Sequence, residues 1–165
     1  MSQSIKSKFR QLTLLTALVF ASAFMHCFAE EKMRLYQVSS GVMQMDKGFL
    51  TAMRDVGKII RVPIAMYIID HPRGLVLYDT GNNVAVSDGK CETHWGKLCQ
   101  SFQPIQRRDE VIDKWLEKFG YSVDDVKYVI VSHMHLDHAG NVEMFPDATI
   151  VVQKEEMRTA WWPEK

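Results

Sequence analysis

The sequence predicts a layered α+β domain, on three observations. Short β-prone apolar runs recur at residues 34–38, 62–70, 75–78, 126–131 and 149–152, and stretches with helical spacing of apolar residues lie among them at 109–119 and 153–162. That order indicates strands and helices in layers rather than a sandwich or a bundle. The 165 residues are 47% hydrophobic with only 9 Gly and 5 Pro, which excludes a disordered or collagen-like chain. Twenty basic side chains balance 20 acidic ones, so there is no field to hold a phosphate backbone, and nucleic acid is excluded as a partner.

Residues 1–29 stand apart. Lys6, Lys8 and Arg10 precede an apolar run of 13 residues from Leu12 to Phe24, and Cys27-Phe28-Ala29 puts small residues where a signal peptidase reads. Thirteen residues at about 1.5 Å each cover roughly 20 Å, short of a ~30 Å hydrocarbon core, so a secretory signal peptide is expected and no stable membrane anchor after its cleavage. A second candidate cut follows Ala21-Ser22-Ala23, and Cys27 offers a weaker lipoprotein reading. The mature chain then carries 17 basic against 20 acidic residues and is expected to be periplasmic or secreted. In an oxidising compartment the remaining pair, Cys91 and Cys99, is expected to form a disulfide around His94 and Trp95. A metal site of Cys91, His94 and Cys99 is the alternative, with no fourth ligand evident nearby.

Along the mature chain, residues 34–38 read as a first strand stopped by Ser39-Ser40-Gly41. Met43, Met45, Phe49 and Met53 form an irregular Met-rich stretch that either fills core gaps or lines an apolar surface, and core packing is expected. Val62–Asp70 and Leu75–Tyr78 read as a hairpin buried on both faces, turning at His71-Pro72-Arg73-Gly74. Residues 82–104 show no period and read as a long loop. A helix over Asp109–Phe119 ends at Gly120, a capped turn spans Ser122–Asp125, and a strand over Val126–Val131 leads to Ser132.

After that strand, His133, His135 and His138 place three of the mature chain's five histidines, with Asp137, inside six residues. Side chains alternate along an extended backbone, so His133 and His135 face one side and can reach one cation, while Asp137 and His138 can face a second. Imidazole nitrogens and a carboxylate suit Zn²⁺, with Fe²⁺ or Mn²⁺ as alternatives. Asp79, at the end of an earlier strand, is placed either to cap a turn or to hydrogen-bond a metal-bound histidine or water from behind. His71 and His94 lie beside turn residues and read as ordinary loop histidines.

The segment His133-Met-His135-Leu-Asp137-His138 resembles the HxHxDH signature of the metallo-β-lactamase superfamily, and Asp79-Thr-Gly81 resembles its preceding Asp-bearing motif. Ser132 to Asn141, Val62-Pro63, Asp70 to Gly81 and the opening Met33-Arg-Leu-Tyr36 with Gly41 are most similar to N-acyl homoserine lactonases, the quorum-quenching enzymes. The likeness covers about residues 33–165. It implies the N-terminal half of an αβ/βα sandwich, two mixed sheets flanked by helices when complete. It also implies two metal ions, the first on His133 and His135 and the second on Asp137 and His138. A hydroxide between them would attack the carbonyl of a small acyl lactone, Asp137 would pass a proton to the leaving alkoxide, and a homodimer is compatible. Glyoxalase II-like thioesterases, β-lactamases, phosphodiesterases and sulfatases share the motif and remain alternatives. The family's other ligands, a His, a bridging Asp and a last His, lie downstream of HxHxDH, and this chain has no histidine after His138. Residues 30–165 are therefore expected to be an incomplete N-terminal part of such a domain, inactive alone.

Overall fold

A computed structural model describes residues 32–162 apart from Met53. The signal peptide expected at 1–29 lies outside the described residues. Among the described residues no helix is long and apolar enough to cross a membrane.

A six-stranded mixed sheet organises residues 33–162, with its strands in the order 104–105, 34–46, 59–71, 74–78, 126–131 and 149–152. Strands β1 (Arg34–Asp46) and β2 (Ile59–His71) pair antiparallel from Arg34 opposite Asp70 to Asp46 opposite Ile59. Strand β1 does not stop at Ser39-Ser40-Gly41, as its turn-like residues predict. The register slips there instead, Gly41 adopts φ 81°, and the strand resumes with Val42 opposite Pro63 and Ile105. A bulge is where a strand tolerates both a left-handed glycine and a partner proline that lacks an N–H. A side chain at residue 41 would also collide with the Ile105 carbonyl of β4 (Pro104–Ile105).

The hairpin of β2 and β3 (Gly74–Tyr78) forms where expected, but its burial alternates. Met66, Ile68, Leu75 and Leu77 are buried while Tyr67, Ile69 and Val76 are half-buried and Tyr78 is exposed, so only one face is fully covered. Residues 84–102, expected to be a loop, coil into α1 (Val84–Ser87), α2 (Cys91–Trp95) and α3 (Leu98–Phe102). Helices of four or five residues complete too little of the 3.6-residue period to show in the sequence. They bury Val86 and Trp95 against Met43, Met45 and Ile64, so two of the four members of the Met-rich stretch are core. Phe49 is exposed, and Met53 lies outside the described residues.

Helix α4 (Ile112–Lys118) is shorter than the predicted 109–119, because a separate 3-10 turn at Arg108–Glu110 precedes it. Arg108 grips Asp113 with two hydrogen bonds, at 2.8 and 2.5 Å, across that joint. Ile112 and Leu116 pack with Met66, Ile68, Leu77, Val129 and Val131 in the principal core. The Ser122 turn closes on Asp125 as its capping pattern predicts. Strands β5 (Val126–Val131) and β6 (Thr149–Val152) then add parallel to β3, followed by α5 (Lys154–Trp161).

The Cys91 and Cys99 sulfurs are bonded, with Cα atoms 5.8 Å apart, which ties α2 to α3 beside the buried Trp95. Closing so small a loop restricts the unfolded chain by on the order of 2–3 kcal/mol. Cys99→Ser is expected to lower the unfolding free energy by about that amount, read by denaturant titration of Trp fluorescence; an unchanged midpoint would show that the bond contributes nothing.

Candidate metal centre

Parallel strands β3 and β5 end side by side, so the residues that follow them meet at one edge of the sheet. The Asp79 N–H continues the ladder by donating to the Ile130 carbonyl at 2.8 Å, and Gly81 bridges to Ala139. Loops at the carboxyl ends of parallel strands are the usual place for a site, since both chains leave the sheet there.

Asp79 is 3% exposed and sits at φ 62°, a left-handed conformation that aspartate adopts more readily than most residues. Its Oδ1 accepts from the Ser132 N–H at 2.7 Å and its Oδ2 from the Ser132 hydroxyl at 2.8 Å. The same Oδ2 lies 2.7 Å from His138 Nδ1. Burial alone would push this carboxyl up, but the hydrogen bonds from His138 and Ser132 outweigh it and hold the group below the ordinary carboxylate range.

The Ser132 hydroxyl also stands 2.9 Å from His133 Nδ1. With its proton committed to Asp79, the hydroxyl oxygen accepts from His133 Nδ1–H, which leaves Nε2 as a lone-pair donor. Burial, then the neighbouring charges of His138 and His135, push His133 below the usual imidazole value and favour that neutral form. His133 Nε2 is 3.1 Å from His135 Nδ1, and its ring centroid is 4.0 Å from that of His138. His138 Nε2 is 3.2 Å from Asp137 Oδ2. Burial would lower His138, yet hydrogen bonds to Asp137 and Asp79 raise it to about 9.

The four residues of the HxHxDH segment are thus brought together in two pairs. Tetrahedral zinc with nitrogen ligands at about 2.05 Å separates neighbouring ligand atoms by about 3.3 Å. The His133–His135 contact of 3.1 Å and the Asp137–His138 contact of 3.2 Å are close to that edge. The donor chemistry therefore fits two divalent cations, with two ligands each. Among the described residues no three His, Cys, Asp or Glu side chains surround one point. Elsewhere, His71 Nδ1 accepts from the Arg73 N–H at 3.0 Å in its turn, and His94 lies exposed on α2.

Several residues that the motif spacing does not single out build the frame. The Thr80 hydroxyl donates to the His138 carbonyl at 3.0 Å and accepts from the Asn141 N–H. The Asn141 amide donates to the Thr80 and Asn82 carbonyls, at 2.8 and 2.6 Å, and accepts from the Val84 N–H. Asn83 reaches the Gly140 carbonyl. The only signal of this clamp in the sequence is that Asn and Thr, residues that bond backbone groups, flank both motifs.

Two outcomes are expected. Asp79→Asn removes the acceptor shared by Ser132 and His138, and should weaken divalent cation binding by about 10–100-fold, measured by competition with a chelating dye. Binding at His138 must displace a proton held up to about pH 9. Cation affinity should therefore rise between pH 6 and 8 with proton release, read by calorimetry in buffers of different ionisation enthalpy. Without metal the sign reverses for stability. A raised folded-state value stabilises below the unfolded value of 6.5, and that contribution is lost as the pH rises toward about 9.

A family model for the metallo-beta-lactamase superfamily matches residues 59–160. The N-acyl homoserine lactonase AttM of Azorhizobium caulinodans is 35% identical over 131 residues, covering 79% of this chain and 49% of the relative. The N-acyl homoserine lactonase AiiA of Bacillus thuringiensis subsp. kurstaki is 28% identical over 127 residues, covering 77% and 51%. Among solved structures, an N-acyl homoserine lactone hydrolase with the product N-hexanoyl-L-homoserine at its catalytic metal centre superimposes with a TM-score of 0.69 at 28% identity, covering 76% of this chain and 50% of that one. The chain spans about half the length of the curated relatives it matches. With the family model covering most of the chain, strands β2 to β6 and the paired His133, His135, Asp137 and His138 included, the protein belongs to the metallo-beta-lactamase superfamily.

Proposed function

We propose that the whole protein is a metal-dependent hydrolase that opens the lactone ring of N-acyl homoserine lactones. The observation that carries the chemistry is the pairing of His133 with His135 and of Asp137 with His138 at ligand-edge distances, braced from behind by Asp79. The lactone substrate rests on the relatives: both AttM and AiiA bear the lactonase name, at 35% and 28% identity. His133 and His135 would hold one divalent ion, with zinc as the first choice and iron or manganese compatible, and Asp137 with His138 a second. When bound, such ions supply Lewis acidity, polarising the carbonyl oxygen and making water acidic enough to attack near neutral pH.

The chain's own groups do the rest. Burial would raise Asp137, but the His138 hydrogen bond keeps it below the ordinary carboxylate range and therefore ionised. An ionised carboxylate beside the reacting carbon accepts the proton of the attacking water. When the ring C–O bond breaks, the same group returns that proton to the leaving alkoxide, and the product is an open hydroxy acid. Asp79 and Ser132 hold His133 and His138 in position throughout. The leader pattern in residues 1–29 and the bonded Cys91–Cys99 pair support export to the periplasm or beyond.

The test is a panel of N-hexanoyl homoserine lactone, a β-lactam, a thioester and a phosphodiester against the full-length protein. Lactone opening should dominate, disappear on chelation and return with divalent metal. Asp137→Asn should lower kcat/KM by about 10²–10⁴-fold, and His135→Ala should abolish turnover. A thioester or phosphodiester as the better substrate would replace the lactone reading, and full activity in both variants would remove the metal site from catalysis.

A further inference from the structure

Beyond the motif residues, one side chain from a different element grips the HxH segment. Glu156, in the first turn of α5, accepts a hydrogen bond from the Met134 N–H at 3.1 Å. Met134 is the residue between His133 and His135, and its side chain packs against the principal core. The segment's ends are tied by other means. Ser132 is held by Asp79, and the His135 carbonyl accepts from the His138 and Ala139 N–H groups at 3.1 and 3.0 Å. The middle peptide belongs to no strand, so the Met134 N–H has no ladder partner, and the hydrogen bond to Glu156 adds to the packing of the Met134 side chain in resisting rotation of that peptide about the chain axis. That rotation would swing the two imidazoles on either side of the peptide, whose rings meet at 3.1 Å. A hydrogen bond to a carboxylate is stronger than one between neutral groups, which suits it to resisting that twist.

We infer that Glu156 is a positioning residue for the His133–His135 pair, acting through the Met134 peptide, while the Thr80–Asn141 clamp grips the Asp137–His138 pair through separate contacts, Asp79 being common to both. This rests on the reading of the two pairs as cation ligands. The two grips come from different elements: α5 on one side, and the loop after β3 on the other. Loss of one should therefore loosen one pair and spare its neighbour.

Zinc titration of the full-length protein, followed by histidine-ring ¹H–¹⁵N NMR, reads His133 and His135 separately from His138. Glu156→Ala should weaken the response of the His133 and His135 rings by about 10–100-fold, as is typical when the support behind a ligand is removed, and leave His138 unchanged. Glu156→Gln keeps an acceptor oxygen without the charge and should restore most of the loss. Thr80→Val should show the reverse pattern, with Thr80→Ser as its rescue. If Glu156→Ala takes up zinc like the wild type at all three rings, the inference is overturned and the lactonase reading stands. Equal weakening in Glu156→Ala and Glu156→Gln would make the effect one of charge and overturn positioning. If the wild-type protein shows no ring response to zinc, the metal-centre reading itself falls, and this inference with it.

Discussion

A single buried carboxylate, Asp79, ties together the two loops that carry the site. It receives the Ser132 N–H and hydroxyl on one side and meets His138 Nδ1 on the other, all within 2.7–2.8 Å. Through Ser132 it also fixes which nitrogen of His133 is free. One acid thus orients a histidine from each of the two pairs. The cost of burying its charge is offset because every contact is a donor aimed at an ionised oxygen, and such hydrogen bonds are worth more than neutral ones. Its left-handed backbone is part of the same arrangement, since it turns the chain out of β3 at the point where the carboxylate must reach back across to β5.

The close approach of the two loops depends on what they lack. A Cβ at Gly140 would fall 2.4 Å from the Gly81 carbonyl, so a side chain there would part the two loops, and one at Gly81 would fall 2.3 Å from Ser40 Oγ, so a side chain there would push that loop off β1. Bare backbone at both places lets the Gly140 N–H donate to the Gly81 carbonyl at 3.1 Å. Among the buried polar residues around them, Thr80, Asn83 and Asn141 bond backbone groups of the facing loop, while Asn82 and Ser40 join the loop after β3 to β1. This polar layer sits at the sheet edge, outside the apolar cluster of Met66, Ile68, Leu77 and Val129, so the ligand loops rest on a frame of hydrogen bonds anchored in a packed core.

How far the sequence discloses this follows from the range of each interaction. The gathering of His133, His135, Asp137 and His138 is legible because it lies within six residues, and the strands are legible from their own composition. The continuation of β1 past Gly41 was not, because the partners that rescue it, Pro63 and Ile105, are remote in sequence. The coil of residues 84–102 was missed for a different reason: Val86 and Trp95 are buried by Met43, Met45 and Ile64, and helices that short carry no periodic signature of their own. Asp79 could be placed near the site from its position after a strand, but Thr80, Asn141 and Glu156 act through backbone atoms. A backbone partner has no residue type, so no pattern of side chains points to it.

The electrostatics around His138 bear on what the two pairs can hold. His138 stands between two carboxylates, Asp79 and Asp137, both held below their ordinary range, and it answers them by keeping a proton up to about 9. His133, 4.0 Å away ring to ring, is pushed the other way by burial and by that same positive charge. One imidazole is thus readied as a neutral donor while its neighbour holds a positive charge where the two acids demand one. A divalent ion on Asp137 and His138 satisfies the same demand with twice the charge and releases the proton to solvent. The residues around His138 are therefore not neutral scaffolding: the charges of Asp79 and Asp137 favour positive charge at this point in the fold.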